Sequence, residues 1–183
     1  MGLAFSSLWD KLFGLAEIKV LILGLDNAGK TTILYKISLG EVVATAPTVG
    51  SNQETYVYKN LKFNLWDIGG QSSLRQSWSS YYSKTQAVIL VVDSTDRARL
   101  GLVRDELARM VGDENLRDSL LLILANKQDV PNCLTAAVIS DTLGLTNLKD
   151  REWQIVPTSA LTGKGLTEGF DWLATKLGGT SRS

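Results

Sequence analysis

Gly24, Gly29, Lys30 and Thr31 fit the spacing G-x-x-x-x-G-K-[ST] within GLDNAGKTT, residues 24–32, directly behind the apolar run IKVLILG. Glycines let backbone N–H groups turn inward around phosphate oxygens. A lysine here reaches terminal phosphates, and the next hydroxyl can ligate Mg²⁺. A helix starting at this point aims its positive end at the same anions. A chance glycine turn is the weaker reading, because a strand precedes the motif and a helix follows it.

This loop alone does not separate ATP from GTP. The tetrapeptide NKQD, residues 126–129, does. Asp129 can accept hydrogen bonds from the guanine N1–H and 2-amino group. Adenine offers neither, and a site built around such bonds rejects the analogue lacking them by about 10⁴–10⁵. In TSA, residues 158–160, the Ala160 N–H can meet the guanine oxygen. WDIGGQ, residues 66–71, adds three groups. Asp67 can hold Mg²⁺ through water, the Gly70 N–H can approach a γ-phosphate, and Gln71 can orient an attacking water. In APTVG, residues 46–50, Thr48 offers a second hydroxyl to the metal.

These groups need a scaffold. Residues 18–24, 87–93, 119–126 and 153–159 are apolar runs that read as strands buried on both faces. Helices are expected between them. Residues 102–110 place Val103, Leu107 and Met110 on one side with charges opposite, and residues 166–177 align Leu166, Phe170, Leu173 and Leu177 before Gly178 and Gly179 end the helix. Strand–helix alternation predicts a doubly wound α/β sheet. Residues 52–67 alternate in polarity around Lys59-Asn60 and predict an antiparallel hairpin.

Composition narrows the function. The 183 residues suit one domain. Lys plus Arg equals Asp plus Glu, 19 each, which argues against a protein that coats nucleic acid. The chain has no histidine, so a histidine triad is excluded. Cys133 is alone, which excludes an internal disulfide and fits a reducing compartment. No apolar run is long enough to span a bilayer, and no cleavable signal peptide is expected.

In this order the motifs resemble those of the small GTPases over roughly residues 17–177. GLDNAGKTT, PTVGSN, WDIGGQ, VVDSTDR and ANKQD are similar to the Arf and Arf-like family, and GSNQETYVYKN and TILYKIS point to one subgroup of its Arf-like branch. The resemblance implies a P-loop NTPase fold of the small GTPase type. Its mostly parallel six-stranded sheet has one antiparallel strand and helices on both faces, with an amphipathic helix at the N-terminus. The implied nucleotide site takes Asp26, Asn27, Ala28, Gly29, Lys30, Thr31 and Thr32 from the first loop, and Thr48 and Gly70 from the next two. Asn126, Lys127, Asp129, Ser159 and Ala160 surround the base. Gln71 and Lys30 carry the catalytic expectation. Thr31, Thr48 and, through water, Asp67 carry the metal.

The resemblance also implies a GTP/GDP switch loaded by an exchange factor and turned off by an activating protein. In the GTP state it recruits membrane-trafficking effectors. It cycles from cytosol to the cytosolic face of Golgi, trans-Golgi or endosomal membranes in vesicle-mediated transport. Where Arf proper carries an aromatic residue this chain has Ser51, while Trp66 and Tyr81 keep the other two aromatic positions of the effector trio. Weak binding of the effectors of Arf proper is therefore expected. Asp26 stands where many small GTPases carry glycine. With no arginine in a recognisable in-cis finger position, slow intrinsic turnover is expected. An arginine supplied in trans then adds about 10³–10⁵ in rate.

The N-terminal stretch MGLAFSSLWDKLFG fits a myristoylation signal at Gly2, with Ser6 in place. Phe5, Leu8, Trp9, Leu12 and Phe13 share one helical face. Asp10 and Lys11 cancel, so attraction to anionic lipid is small. A single myristoyl chain binds membrane only marginally, so the helix is expected to be the second anchor. Residues 1–16 are thus expected to be a membrane helix and residues 17–183 the GTP-binding domain. Two rivals remain at this point: a nucleotide-locked scaffold, disfavoured by Gln71, and an ATP-dependent kinase or ATPase, disfavoured by NKQD.

Overall fold

The computed structural model describes residues 14–40, 47–59 and 61–180, with residues 179 and 180 as backbone only. Gly2 and the expected N-terminal helix lie outside the described residues. In chain order the elements are β1 (Ala16–Leu23), α1 (Lys30–Leu39), β2 (Ser51–Tyr58), β3 (Leu61–Ile68), the short α2 (Ser72–Arg75), β4 (Ala87–Asp93), α3 (Leu100–Val111), β5 (Leu120–Asn126), α4 (Ala136–Leu143), β6 (Trp153–Pro157) and α5 (Leu166–Thr180).

The strand order is β2-β3-β1-β4-β5-β6. All neighbours are parallel except β2 and β3, which form the expected antiparallel hairpin. Lys59, at φ 46°, takes the left-handed conformation that a tight turn requires. The chain winds outward from β1 to one side and then crosses to β4 on the other. Sheets of this kind open a crevice at the carboxyl ends of the strands where the winding reverses. The five motif loops follow β1, β3, β4, β5 and β6 and meet at that edge.

Alternation along the central strands divides the core into two layers. Val20, Ile22, Ile89, Val91, Leu122 and Leu124 face α1 and α5, where Ile33, Leu34, Phe170 and Leu173 cover them. Leu21, Leu23, Val88, Leu90, Leu121 and Ile123 face Val103, Leu107 and Met110 of α3 and Ile139 of α4. Burial on both faces is why these strands read as unbroken apolar runs.

Two sequence expectations need correction. Gly178 and Gly179 do not end α5, which continues to Thr180. Glycine costs a helix about 1 kcal/mol relative to alanine without forbidding it. Gly178 also lacks the positive φ with which Gly40 (φ 72°) ends α1. On α3 the charges do not all face away from the core: Glu106 is buried, because Arg75 reaches it from α2.

The hairpin is pinned to α5. Tyr56 and Tyr58 stack at 5.7 Å, and both meet the Phe170 ring edge-on. Phe63 meets the same ring from β3 at 5.5 Å. The Tyr58 hydroxyl donates to Asp171 at 2.5 Å, which pushes the Tyr58 pKa up to about 12. Lys59 pairs with Asp171 at 2.6 Å.

Phe63 has no exposed surface, so Phe63→Ala is expected to cost about 3–5 kcal/mol in urea unfolding. Val57, 56 % exposed, is the control: Val57→Ala should stay within about 0.5 kcal/mol.

Candidate nucleotide and metal site

The first loop leaves β1 at Gly24, whose φ of 145° suits glycine alone. A Cβ there would lie 2.3 Å from the Val91 carbonyl oxygen of β4. Across the crevice Gly70 comes equally close: its Cβ would lie 2.4 Å from the Gly24 oxygen and 2.5 Å from the Asp26 nitrogen. The Gly70 backbone therefore rests directly on the phosphate loop.

Between these backbones opens a cleft of about 340 Å³, lined by Asp26, Asn27, Gly29, Lys30, Thr31, Thr32, Pro47, Thr48, Gly70, Gln71 and Lys127. Lys30 opens α1 and is buried, and its Nζ donates to the Leu25 carbonyl at 2.9 Å. Burial pushes its pKa down, against the pull of Asp67 and Asp26. Gln71 is exposed just ahead of α2, where its carbonyl accepts from the N–H groups of Leu74 at 2.9 Å and Arg75 at 3.1 Å.

Three oxygen-bearing side chains converge beside Lys30. The hydroxyls of Thr31 and Thr48 lie 2.9 Å apart. Both donate to Asp67 Oδ2, Thr48 at 3.1 Å. Asp67 is fully buried, and its Oδ1 has no hydrogen-bond partner among the described residues. Burial raises its pKa, against the lowering effects of Thr31, Lys30 and Thr48. A buried carboxylate with a bare oxygen, beside two hydroxyls, is the donor set a hard divalent cation takes. The residues fit Mg²⁺.

At the other end of the cleft Lys127, at φ 68°, pairs with Asp93 at 2.6 Å. Burial works against the charge on Asp93, but the bonds from Lys127 and Thr95 outweigh it and hold the carboxyl below its ordinary pKa. Asp129 is exposed, and its Oδ1 accepts from the Ser159 hydroxyl at 2.6 Å. Asn126 is buried. Its Nδ2 donates to the Ala28 carbonyl at 2.9 Å, and its Oδ1 accepts from the Ala160 N–H at 3.0 Å and the Thr158 hydroxyl at 3.4 Å. One amide thus joins the phosphate loop to the loop after β6. The Ala160 N–H, expected at the guanine oxygen, is directed at Asn126 instead.

Several residues were not visible as site residues in the sequence. Arg99 donates to the Asp26 carboxylate at 2.8 Å and to the Asp26 carbonyl at 3.2 Å, while its Nε holds Asp96 at 2.6 Å. The Asp26 charge is therefore matched. Arg75 donates to the Gly70 carbonyl at 3.0 Å. Lys19 lies over the Trp66 ring at 5.8 Å and donates to the Tyr81 and Ser83 carbonyls. Trp66 and Tyr81 stand 6.1 Å apart, and Ser51 is exposed at the start of β2.

Residues 5–177 match the ADP-ribosylation factor family. Among solved structures the chain is similar to the Arl6 BBS3 small GTPase from Trypanosoma brucei, determined with the bound nucleotide analogue GppNp. The two are 36% identical, over 88% of this chain and 97% of that one, with a TM-score of 0.82. The chain belongs to the ADP-ribosylation factor family: it is an Arf-like small GTPase, a GTP-dependent switch that binds GTP or GDP with Mg²⁺ and hydrolyses the triphosphate.

Proposed function

We propose that this switch works in vesicle-mediated transport, on the cytosolic face of Golgi or endosomal membranes, with the site residues in the following roles. The observation that carries the reading of the site is the meeting of Thr31, Thr48 and Asp67, from three separate segments, beside Lys30. These three would hold Mg²⁺, which would supply neutralisation of the negative charge on the phosphates. Lys30 exchanges its bond to the Leu25 carbonyl for the terminal phosphates. Asp129, steadied by Ser159, reads the guanine edge. The Gly70 N–H meets the γ-phosphate, and Gln71 orients the water. The new bond joins the water oxygen to the γ-phosphorus, the bridging bond to GDP breaks, and phosphate leaves.

The family implies exchange factors, activating proteins and effectors in general. Membrane attachment through a Gly2 myristate and the apolar face of Phe5, Leu8, Trp9, Leu12 and Phe13 rests on the sequence pattern. So does the choice of organelle, which rests on the motifs shared with the Arf branch.

Gln71→Leu should keep GTP binding and lose hydrolysis stimulated by an activating protein of the family. Near-normal stimulated turnover, by release of phosphate in a single turnover, would remove Gln71 from the water-positioning role. Asn126→Ala strands the Ala28 carbonyl and the Ala160 N–H, each a cost of about 1–3 kcal/mol. Release of a labelled nucleotide should quicken at least about fivefold, equally for GDP and GTP. The membrane reading is tested by intact mass after co-expression with a myristoyltransferase: an acyl mass on wild type and none on Gly2→Ala is expected, with loss of liposome flotation in the variant.

A further inference from the structure

Behind Gln71 lies an ion pair that no motif announces. The side chains of Arg75 and Glu106 are 12% and 7% exposed, with Nε 3.2 Å from Oε1. Arg109 also approaches Glu106 at 3.4 Å, but that arginine is 75% exposed. A buried pair contributes little net stability compared with apolar side chains of the same volume. Stability is therefore a weak account of this one. The other bond of the same guanidinium gives a better account: Nη1 donates to the Gly70 carbonyl at 3.0 Å.

That carbonyl belongs to the peptide joining Gly70 to Gln71. In a planar trans peptide the C=O and N–H point opposite ways. Holding the carbonyl toward Arg75 therefore sets the direction of the Gln71 N–H, and with it the path on which Gln71 leaves the backbone. The preceding peptides are held separately: the Gly69 N–H donates to the Gly50 carbonyl at 2.9 Å, and the Gly69 carbonyl accepts from Trp78 Nε1 at 3.0 Å. Arg75 thus acts on the peptide that leads into Gln71, while the Gln71 carbonyl is held by the Leu74 and Arg75 N–H groups, and Glu106 anchors the guanidinium to α3, a long helix of the core. A lysine keeps the charge but not the planar fork that bonds two acceptors in fixed directions.

We propose that Arg75, held by Glu106, is a positioning residue for hydrolysis that aims the Gly70–Gln71 peptide, and so the Gln71 amide, at the attacking water. This rests on the role given to Gln71 above.

The test uses the full chain preloaded with GTP, in single turnover, followed to completion by chromatography of the bound nucleotide. Arg75→Lys and Glu106→Gln should each slow hydrolysis about ten- to a hundredfold. The double variant should be no slower than the slower single, because both changes cut one linkage. Release of GDP should stay within about twofold of wild type. A structural role alone would lower the melting temperature and quicken release of both nucleotides while leaving the hydrolysis rate in place. Hydrolysis within about twofold of wild type in Arg75→Lys, with Gln71→Leu slowed, overturns the positioning role and leaves that of Gln71 intact. An unslowed Gln71→Leu overturns both.

Discussion

The site depends on one buried carboxylate. Asp67 is the penultimate residue of β3 with no exposed surface, and among the described residues its carboxylate accepts hydrogen bonds only from the hydroxyls of Thr31 and Thr48, both on one oxygen. Taking an ion out of water costs several kcal/mol unless it is paired and hydrogen-bonded. Lys30 supplies part of the compensation through space, and its own pKa is pushed down by the same burial. A bound cation would satisfy the bare Oδ1 of Asp67. A ligand bound by the folded chain and not by the unfolded one stabilises the fold by mass action. Nucleotide and metal are thus part of what holds these loops in their arrangement.

The same carboxylate makes the hairpin a link between loops. Thr48 precedes β2 and Gly70 follows β3, so the two loops leave the same open end of one antiparallel ribbon. Gly69 bonds across to Gly50, closing that end of the ribbon on itself. Its other end is held by Asp171 through Tyr58 and Lys59. A pull on Thr48 or Gly70 is a pull on the whole ribbon, opposed by the β1–β3 ladder, the aromatic contacts to Phe170, and a hydrogen bond and an exposed ion pair on α5. Exposed pairs contribute about 0.2–1 kcal/mol. The ion pair is therefore the weakest of these restraints, and a ligand shifts such a balance only by its differential affinity for the two arrangements.

Much of this was legible in the sequence for a physical reason. Gly24, Lys30, Asp67 and Asp129 act through groups within a few residues of a strand end, so local spacing carries the signal. The hairpin showed itself by period-two alternation, and the central strands by burial on both faces. What stayed hidden depends on contacts distant in sequence. Arg99 meets Asp26 across 73 residues, and Arg75 meets Glu106 across 31. Asn126 was read as part of the base-binding motif. Its two-way amide shows only once Ala28 and Ala160 are brought beside it. Glu106 was read as solvent-facing because helical periodicity reports which face is apolar. It does not report that a neighbouring arginine has made burial of an acid tolerable.

The two hidden arginines bear on why the chain is a switch and not a fast hydrolase. Beyond a lysine and a metal, an arginine at the γ-phosphate is worth about 10³–10⁵ in rate in such sites. Arg99 and Arg75 both lie against segments that border the cleft, yet each is committed elsewhere: Arg99 to Asp26 and Asp96, Arg75 to Gly70 and Glu106. Freeing Arg99 would take the pairing from Asp26 and Asp96, and freeing Arg75 would leave the buried Glu106 with only the exposed Arg109 among the described residues. Removing one partner of a buried pair costs about 3–5 kcal/mol. The fold thus uses its local arginines to shape backbone and neutralise acids, and keeps them from the transition state. On the proposed reading, the added positive charge comes in trans from an activating protein of the kind the family implies.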